Sequence, residues 1–469
     1  MPPNLALVRT VRLRRPAAQL IEYLSVPLQE IEMKIVAAVV IVLGAMGLPL
    51  HAADGQAAAE AKAPVAIART GFTPSQAREF RERYSYEEVI SAGDVSLFHF
   101  LNLGIWLPTA MVSRQGNVVG LATAIDRHIG QTRIANATGG VDLSDYLRSV
   151  ASRAQGMAVV HRGRIVFEEY PGMRPSDFHV WMSVAKTTVS LVVRLLAEEG
   201  KIDVDKPIDS YMPALRNTEW AGTRVIDVLD MTSGMDIIEN QAKREDPRSV
   251  ITRFNLAGSG EPNADGKKES LFEVVRSAKR IGPPGKAFDY SSVNTTLLAL
   301  LAEAVENKQW SDIYQERVWS KMAVEGDMQV AVAPDNTPLV HGLIASRLRD
   351  LARYGMLYTP SWNKAARERI VSQTYVREIQ TGGRKGIFLK GELGNRLTTA
   401  FFPVSPPSAN HWQWDAVWPD GDFYKGGVYG QGLYVSPAKD LVIVWFSTAM
   451  SNDLTQYARQ IAINTPALR

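Results

Sequence analysis

Between Trp181 and Gly200 the chain sets a serine and a lysine three residues apart at the head of a strongly apolar stretch. The run from Val184 to Leu196 closes on Glu198-Glu199-Gly200, which reads as a helix with a glycine stop. A helix this apolar is buried on most faces, so the rest of the chain must supply layers around it. With 469 residues there is ample length for such a core.

Two hairpin patterns frame that helix from a distance. Met157-Ala158-Val159-Val160 and Ile165-Val166-Phe167 flank the turn His161-Arg162-Gly163-Arg164. Far downstream, Gly432 to Val435 and Leu441 to Phe446 flank Pro437-Ala438-Lys439-Asp440. Lys201 to Pro360 is mostly helical patterning broken by Pro and Gly, and a last helix is expected from Leu454 to Ile463. Strands at both ends with helices between predict an α+β fold, one sheet closed by distant segments with a helical region inserted.

The motif Ser183-Val184-Ala185-Lys186 carries chemistry because positions i and i+3 share a helix face. A neutral Lys186 amine can then take the Ser183 proton as the oxygen attacks a carbonyl. A serine at a helix N-terminus also presents a free backbone N–H to the developing oxyanion. Ser-x-x-Lys occurs twice more, at Ser361/Lys364 and Ser436/Lys439. The first follows Pro360 in a polar stretch and the second runs into Pro437 in a turn, so neither has the buried helix. Inside such a helix a lysine must be neutral or paired.

The start of the chain reads as export. Met33-Lys34, the apolar run Ile35 to Leu50 and His51-Ala52-Ala53 have the order of a secretory signal. The run is short for a membrane span of about 20 residues. Cleavage is expected after Ala52 or Ala53 and translation near Met33, with a periplasmic or secreted mature chain. Ala52 to Ala66 reads as a linker, and residues 53–150 as linker plus N-terminal extension with no evident chemistry.

Composition excludes several classes. Beyond the first 52 residues acidic and basic groups nearly balance, so no basic field for nucleic acid is present. The absence of cysteine removes thiolate nucleophiles and Cys-ligated zinc. His51, His99, His128, His161, His179, His341 and His411 show no metal-ligand spacing, and there is no Gly-x-Ser-x-Gly. No metal and no cofactor are expected.

The block at Met182–Lys186, with the upstream hairpin, resembles the class C β-lactamase-related family, which includes penicillin-binding esterases, D-alanyl-D-alanine peptidases and 6-aminohexanoate-dimer hydrolases. Three more blocks follow in the family's order. Thr223 to Met235 resembles its Thr-Ser-Gly segment, Pro284 to Ser292 its Tyr-x-Asn block, and Lys425 to Gln431 its Lys-Thr-Gly block. The resemblance implies a β-lactamase/penicillin-binding-protein-like fold over residues 151–465, an antiparallel sheet flanked by helices, with a helical insertion near 201–360.

It further implies Ser183 as nucleophile, Lys186 as its partner, and Tyr290 as general base or proton relay. For that role the phenol must be lowered from about 10 by Lys186 or Lys425. The N–H groups of Ser183 and Val428 would form the oxyanion hole, with Gly427 and Gly430 allowing close approach of substrate. Two positions depart from the family pattern. Ser292 stands where the family has Asn, with Asn294 as the alternative, and Ser292-Val293-Asn294 also fits the Ser-x-Asn motif of related enzymes. Gly426 replaces the middle Thr, leaving Lys425 as the evident anchor for a substrate carboxylate. Trp412, Trp414 and Trp418 are either core or the wall of an acyl pocket.

The expected activity is hydrolysis of a small-molecule ester or amide through a Ser183 acyl-enzyme. The alternatives are a D-alanyl-D-alanine peptidase or weak β-lactamase and, from another class, a non-catalytic penicillin-binding module.

Overall fold

The computed structural model describes residues 65–134 and 140–468. The expected signal segment and most of the Ala52–Ala66 linker lie outside the described residues. Among the described residues no helix is long and apolar enough to cross a membrane.

Among the described residues twelve strands run in chain order: β1 (Thr109–Val112), β2 (Ala122–Thr123), β3 (Ala154–His161), β4 (Arg164–Glu169), β5 (His179–Val180), β6 (Met328–Ala331), β7 (Ile344–Ser346), β8 (Ala409–His411), β9 (Trp414–Val417), β10 (Phe423–Gly427), β11 (Gln431–Ser436) and β12 (Leu441–Ser447). Eight of them form one sheet in the order β2-β4-β3-β12-β11-β10-β9-β8. Every pairing is antiparallel except β2 with β4. Both expected hairpins lie in this sheet, joined where β12 pairs with β3, Met157 opposite Trp445.

Every residue of β3, β11 and β12 is buried, because helices cover both faces of the sheet. Strand alternation divides the core in two. Val442, Val444 and Phe446 lie in the core that also holds Val189 and Val192 of the Lys186–Glu198 helix, with Val442 against Gly355 of the Leu348–Met356 helix, whereas Ile443 and Trp445 lie in the core that holds Tyr457 and Ile461 of the Asp453–Asn464 helix. That last helix falls within one residue of its expected bounds at each end.

A second, four-stranded antiparallel sheet has the order β1-β6-β7-β5. Its strands are two to four residues long, and they come from the N-terminal extension, the turn before Ser183 and the far end of the helical region. The extension is therefore woven into the fold from Val65 onward. The Pro74–Glu82 helix, opened by a Thr73/Gln76 capping box, packs Phe80 against Phe72 and Phe98. Between β5 and β6 the chain is helical and turn structure, with the buried Ser292–Glu306 helix at its centre.

Candidate active site

The turn that carries Ser183 is fixed by both sheets. β5 pairs with β7, and the Trp181 N–H continues that ladder by donating to the Ile344 carbonyl at 2.8 Å. Met182 then adopts φ 47°, a left-handed conformation uncommon for a side chain of this size, which swings the chain from strand into helix. Ser183 sits in a 3₁₀ turn, Met182–Ala185, that leads into the Lys186–Glu198 helix. In a 3₁₀ turn residues three apart eclipse, so Lys186 Nζ lies 3.1 Å from Ser183 Oγ.

Lys186 is wholly buried and its amine has two further partners, Ser292 Oγ at 2.9 Å and the His341 carbonyl at 2.6 Å. Burial lowers its pKa from 10.5 to about 7, helped by the Lys425 charge and opposed by Glu239 and Asp415. Ser292 thus occupies the place in question between the two candidates. Asn294 is buried off this cluster, and neither polar atom of its amide has a partner among the described residues.

Tyr290 joins the same group: its hydroxyl accepts from Lys425 Nζ at 3.4 Å, and Ser183 lies close enough to act on the phenol. The Lys186 and Lys425 amines lie 5.4 and 4.8 Å from its ring centroid. The expectation that these cations lower the phenol is overturned. Desolvation, with the carboxylates of Asp415 and Glu239, pushes Tyr290 well above its ordinary value. The cations were part of the sequence reading, and the two carboxylates that offset them were not. Tyr290 is therefore a neutral phenol at physiological pH, suited to relay a proton and unsuited to begin as a base.

Lys425 is buried and ion-paired to Asp415, whose second oxygen accepts the Gly426 N–H at 3.1 Å. With that carboxylate in place Lys425 is no open anchor for a substrate carboxylate, which corrects the sequence expectation. Asp415 and Glu239 are the site residues that sequence reasoning missed. An acid between Trp414 and Ala416 in an apolar strand was a usable signal, whereas Glu239 offered none. Trp412, Trp414 and Trp418 are all buried, and Trp414 packs edge-on against Phe423 and Tyr358, so these rings belong to the core.

β10 ends against the Ser183 turn. A Cβ on Gly427 would lie 2.9 Å from both the Trp181 carbonyl and Met182 Cβ, so only glycine lets the strand come this close. The chain then turns through Val428, half-exposed, and Tyr429 at φ 63°, closed by the Gly430 N–H to the Gly427 carbonyl at 3.2 Å. The other two Ser-x-x-Lys matches do not pair. Ser361 Oγ donates to Asp440 at 2.5 Å, and Lys439 donates to the Ala462 carbonyl.

Gly426 has its own steric cause. A Cβ there would lie 2.4 Å from the Tyr424 hydroxyl, on a buried ring stacked with Trp445. Restoring the family's threonine by Gly426→Thr should therefore destabilise the protein by about 1–3 kcal/mol through overpacking. Urea unfolding should show this loss, and adding Tyr424→Phe, which removes the clashing oxygen, should recover part of it. A Gly426→Thr protein as stable as wild type would refute the steric account.

Comparison with known proteins bears on the family and the fold. A sequence profile of the family described as Beta-lactamase matches residues 143–464. The chain is 29% identical over 352 residues to a 6-aminohexanoate-dimer hydrolase of Paenarthrobacter ureafaciens, covering 74% of this chain and 84% of that protein. A Bacillus anthracis structure with the provisional name 6-aminohexanoate-dimer hydrolase superposes with TM-score 0.69 at 21% identity, over 83% of this chain and 97% of that one. A D-stereospecific amidohydrolase of a Streptomyces species shares the fold with TM-score 0.50 at 16% identity, over 72% and 99% of the two chains. The chain belongs to the β-lactamase family of serine hydrolases.

Proposed function

We propose that this hydrolase cleaves small esters or amides through an acyl-enzyme on Ser183. The observation that carries the reading is the wholly buried Lys186, held between Ser183 and Ser292. The His341 carbonyl can only accept, so a neutral Lys186 amine donates to it and to Ser292 and turns its lone pair to the Ser183 hydroxyl. Ser183 Oγ attacks the substrate carbonyl as its proton passes to Lys186. The tetrahedral oxyanion is received by the backbone N–H groups of Ser183 and Val428. As the carbonyl re-forms, the Tyr290 phenol protonates the leaving oxygen or nitrogen and is itself reprotonated from Lys186. Water then repeats the sequence on the acyl-enzyme, releasing the acid and free Ser183.

Because Lys186 must be neutral to act, kcat/KM should rise with pH through a midpoint near 7. The similarity to a 6-aminohexanoate-dimer hydrolase favours amides among the candidate substrates. The peptidase and β-lactamase readings are disfavoured because Asp415 already pairs with Lys425. Export through the segment beginning near Met33 remains part of the proposal, and N-terminal sequencing of the native protein tests it.

The deciding experiment uses protein without the first 52 residues, exposed to p-nitrophenyl esters, short amides, a fluorophosphonate and a penicillin. Intact-mass and peptide analysis should find the acyl and phosphonyl adducts on Ser183. Short neutral esters or amides should exceed the penicillin at least tenfold in kcat/KM, about 1.4 kcal/mol. A penicillin turned over faster than the whole panel would move the assignment to β-lactamase.

A further inference from the structure

Glu239 grips the catalytic turn at two points. Its backbone N–H donates to the Tyr290 carbonyl at 3.0 Å, and its carboxylate accepts the Ser292 N–H at 2.5 Å. One residue therefore fixes the chain on both sides of Ser291, and with it the two side chains that flank Lys186 and Ser183. The carboxylate also caps the Ser292–Glu306 helix, where an anion is favoured by the free N–H groups. Its other oxygen is held by the Arg244 guanidinium at 2.8 Å. The Arg244 charge also acts on the Tyr86 phenol, which comes near this point from the N-terminal extension.

We propose that Glu239 is a positioning residue, holding Tyr290 and Ser292 in register and setting the charge balance of the buried Lys186. The proposal rests on the Ser183–Lys186 reading above. Glu239 is mostly buried yet stays ionised, held at about 2 against the cost of burial by Arg244, Lys186 and the Ser292 N–H. The groups that face Lys186 are Ser183 on its own turn, Ser292 and Tyr290 on the next segment, and His341, Glu239, Arg244, Lys425 and Asp415 on the surrounding elements. Glu239 and Asp415 favour the ammonium, Lys425 and Arg244 oppose it, and the His341 ring is kept neutral by burial and by Lys186. Burial alone would carry Lys186 further down, to a weaker base. The Glu239 charge returns it toward the working pH, where a general base is most effective.

The test compares kcat/KM pH profiles of wild type, Glu239→Gln, Glu239→Ala and Arg244→Gln, with Ser183→Ala as control. Glu239→Gln keeps an oxygen for the Ser292 N–H but removes the charge. Its acid limb should move down by about 0.5 to 1 pH unit, since the ammonium loses a stabilising neighbour. Arg244→Gln should move the limb up, because a cation is lost instead. Glu239→Ala should in addition lower the high-pH plateau about tenfold or more, and more than Glu239→Gln does. A purely structural Glu239 would change the plateau and leave the limb in place. If Ser183→Ala is inactive while the limbs of Glu239→Gln and Arg244→Gln coincide with wild type, the role of Glu239 is overturned and the nucleophile stands. If Ser183→Ala keeps its activity, the nucleophile reading falls instead.

Discussion

Ser183→Ala should lower kcat/KM for a short ester by about 10⁴-fold or more and leave the protein folded. The substitution removes one oxygen from a partly exposed position, and Lys186 keeps its bonds to Ser292 and to the His341 carbonyl. It removes the atom proposed to form the acyl bond, and losses of this size are what removing a nucleophile costs in serine hydrolases. What remains should be the modest catalysis of the backbone oxyanion donors acting on water. Fluorophosphonate labelling should vanish in parallel, while the circular dichroism spectrum and unfolding midpoint stay close to wild type. Retention of wild-type turnover would exclude Ser183 as the nucleophile.

Lys186→Met should be nearly as damaging to activity, and the double variant no worse than the more damaged single one, since the pair acts as a unit. Its effect on stability has the opposite sign. A lysine lowered from 10.5 to about 7 by folding binds its proton more weakly in the native state than in the unfolded chain. Between those values the unfolded chain carries more protons, so wild-type stability climbs as pH rises from 7 toward 10.5. Below 7 the penalty is present in full. At neutral pH it is worth up to about 4 kcal/mol, and methionine fills similar space without it. The Ser292 hydroxyl and His341 carbonyl lose their donor, which returns about 1–3 kcal/mol. Lys186→Met should therefore be the more stable protein at pH 7, with its advantage fading toward pH 10. Urea unfolding at several pH values measures this directly, and an advantage that grows with pH would contradict the assigned lysine.

The parts legible in the sequence were those written in local pattern. The two hairpins, the Ser183 helix and the final helix each carry a period or a turn signal within a few adjacent residues. The four-stranded sheet carried none. β5 is two residues long, β7 three, and their pairing joins His179 to Ser346. At the site, Ser183 with Lys186 was readable because three residues bring them together. Asp415 reaches Lys425 across adjacent strands, and Glu239 reaches Ser292 across a loop region. Reading Tyr290 as a lowered phenol failed for this reason, because its field depends on carboxylates that only the folded chain brings near.

The pairing of Met157 with Trp445 makes completion of the active site one of the last events in vectorial synthesis. While a ribosome still holds the C-terminal segment, β3 has β4 on one side and no neighbour on the other. β10, whose end presses on the Ser183 turn, is likewise without β11 as a partner until Gln431 to Ser436 emerge. Nascent chains stalled before Leu441 should thus expose an apolar strand edge and be inactive, as contacts so distant in sequence close slowly. Such an edge invites pairing with a second unfinished chain. A chaperone that shields β3 would act on the strand whose partner is the most distant in sequence.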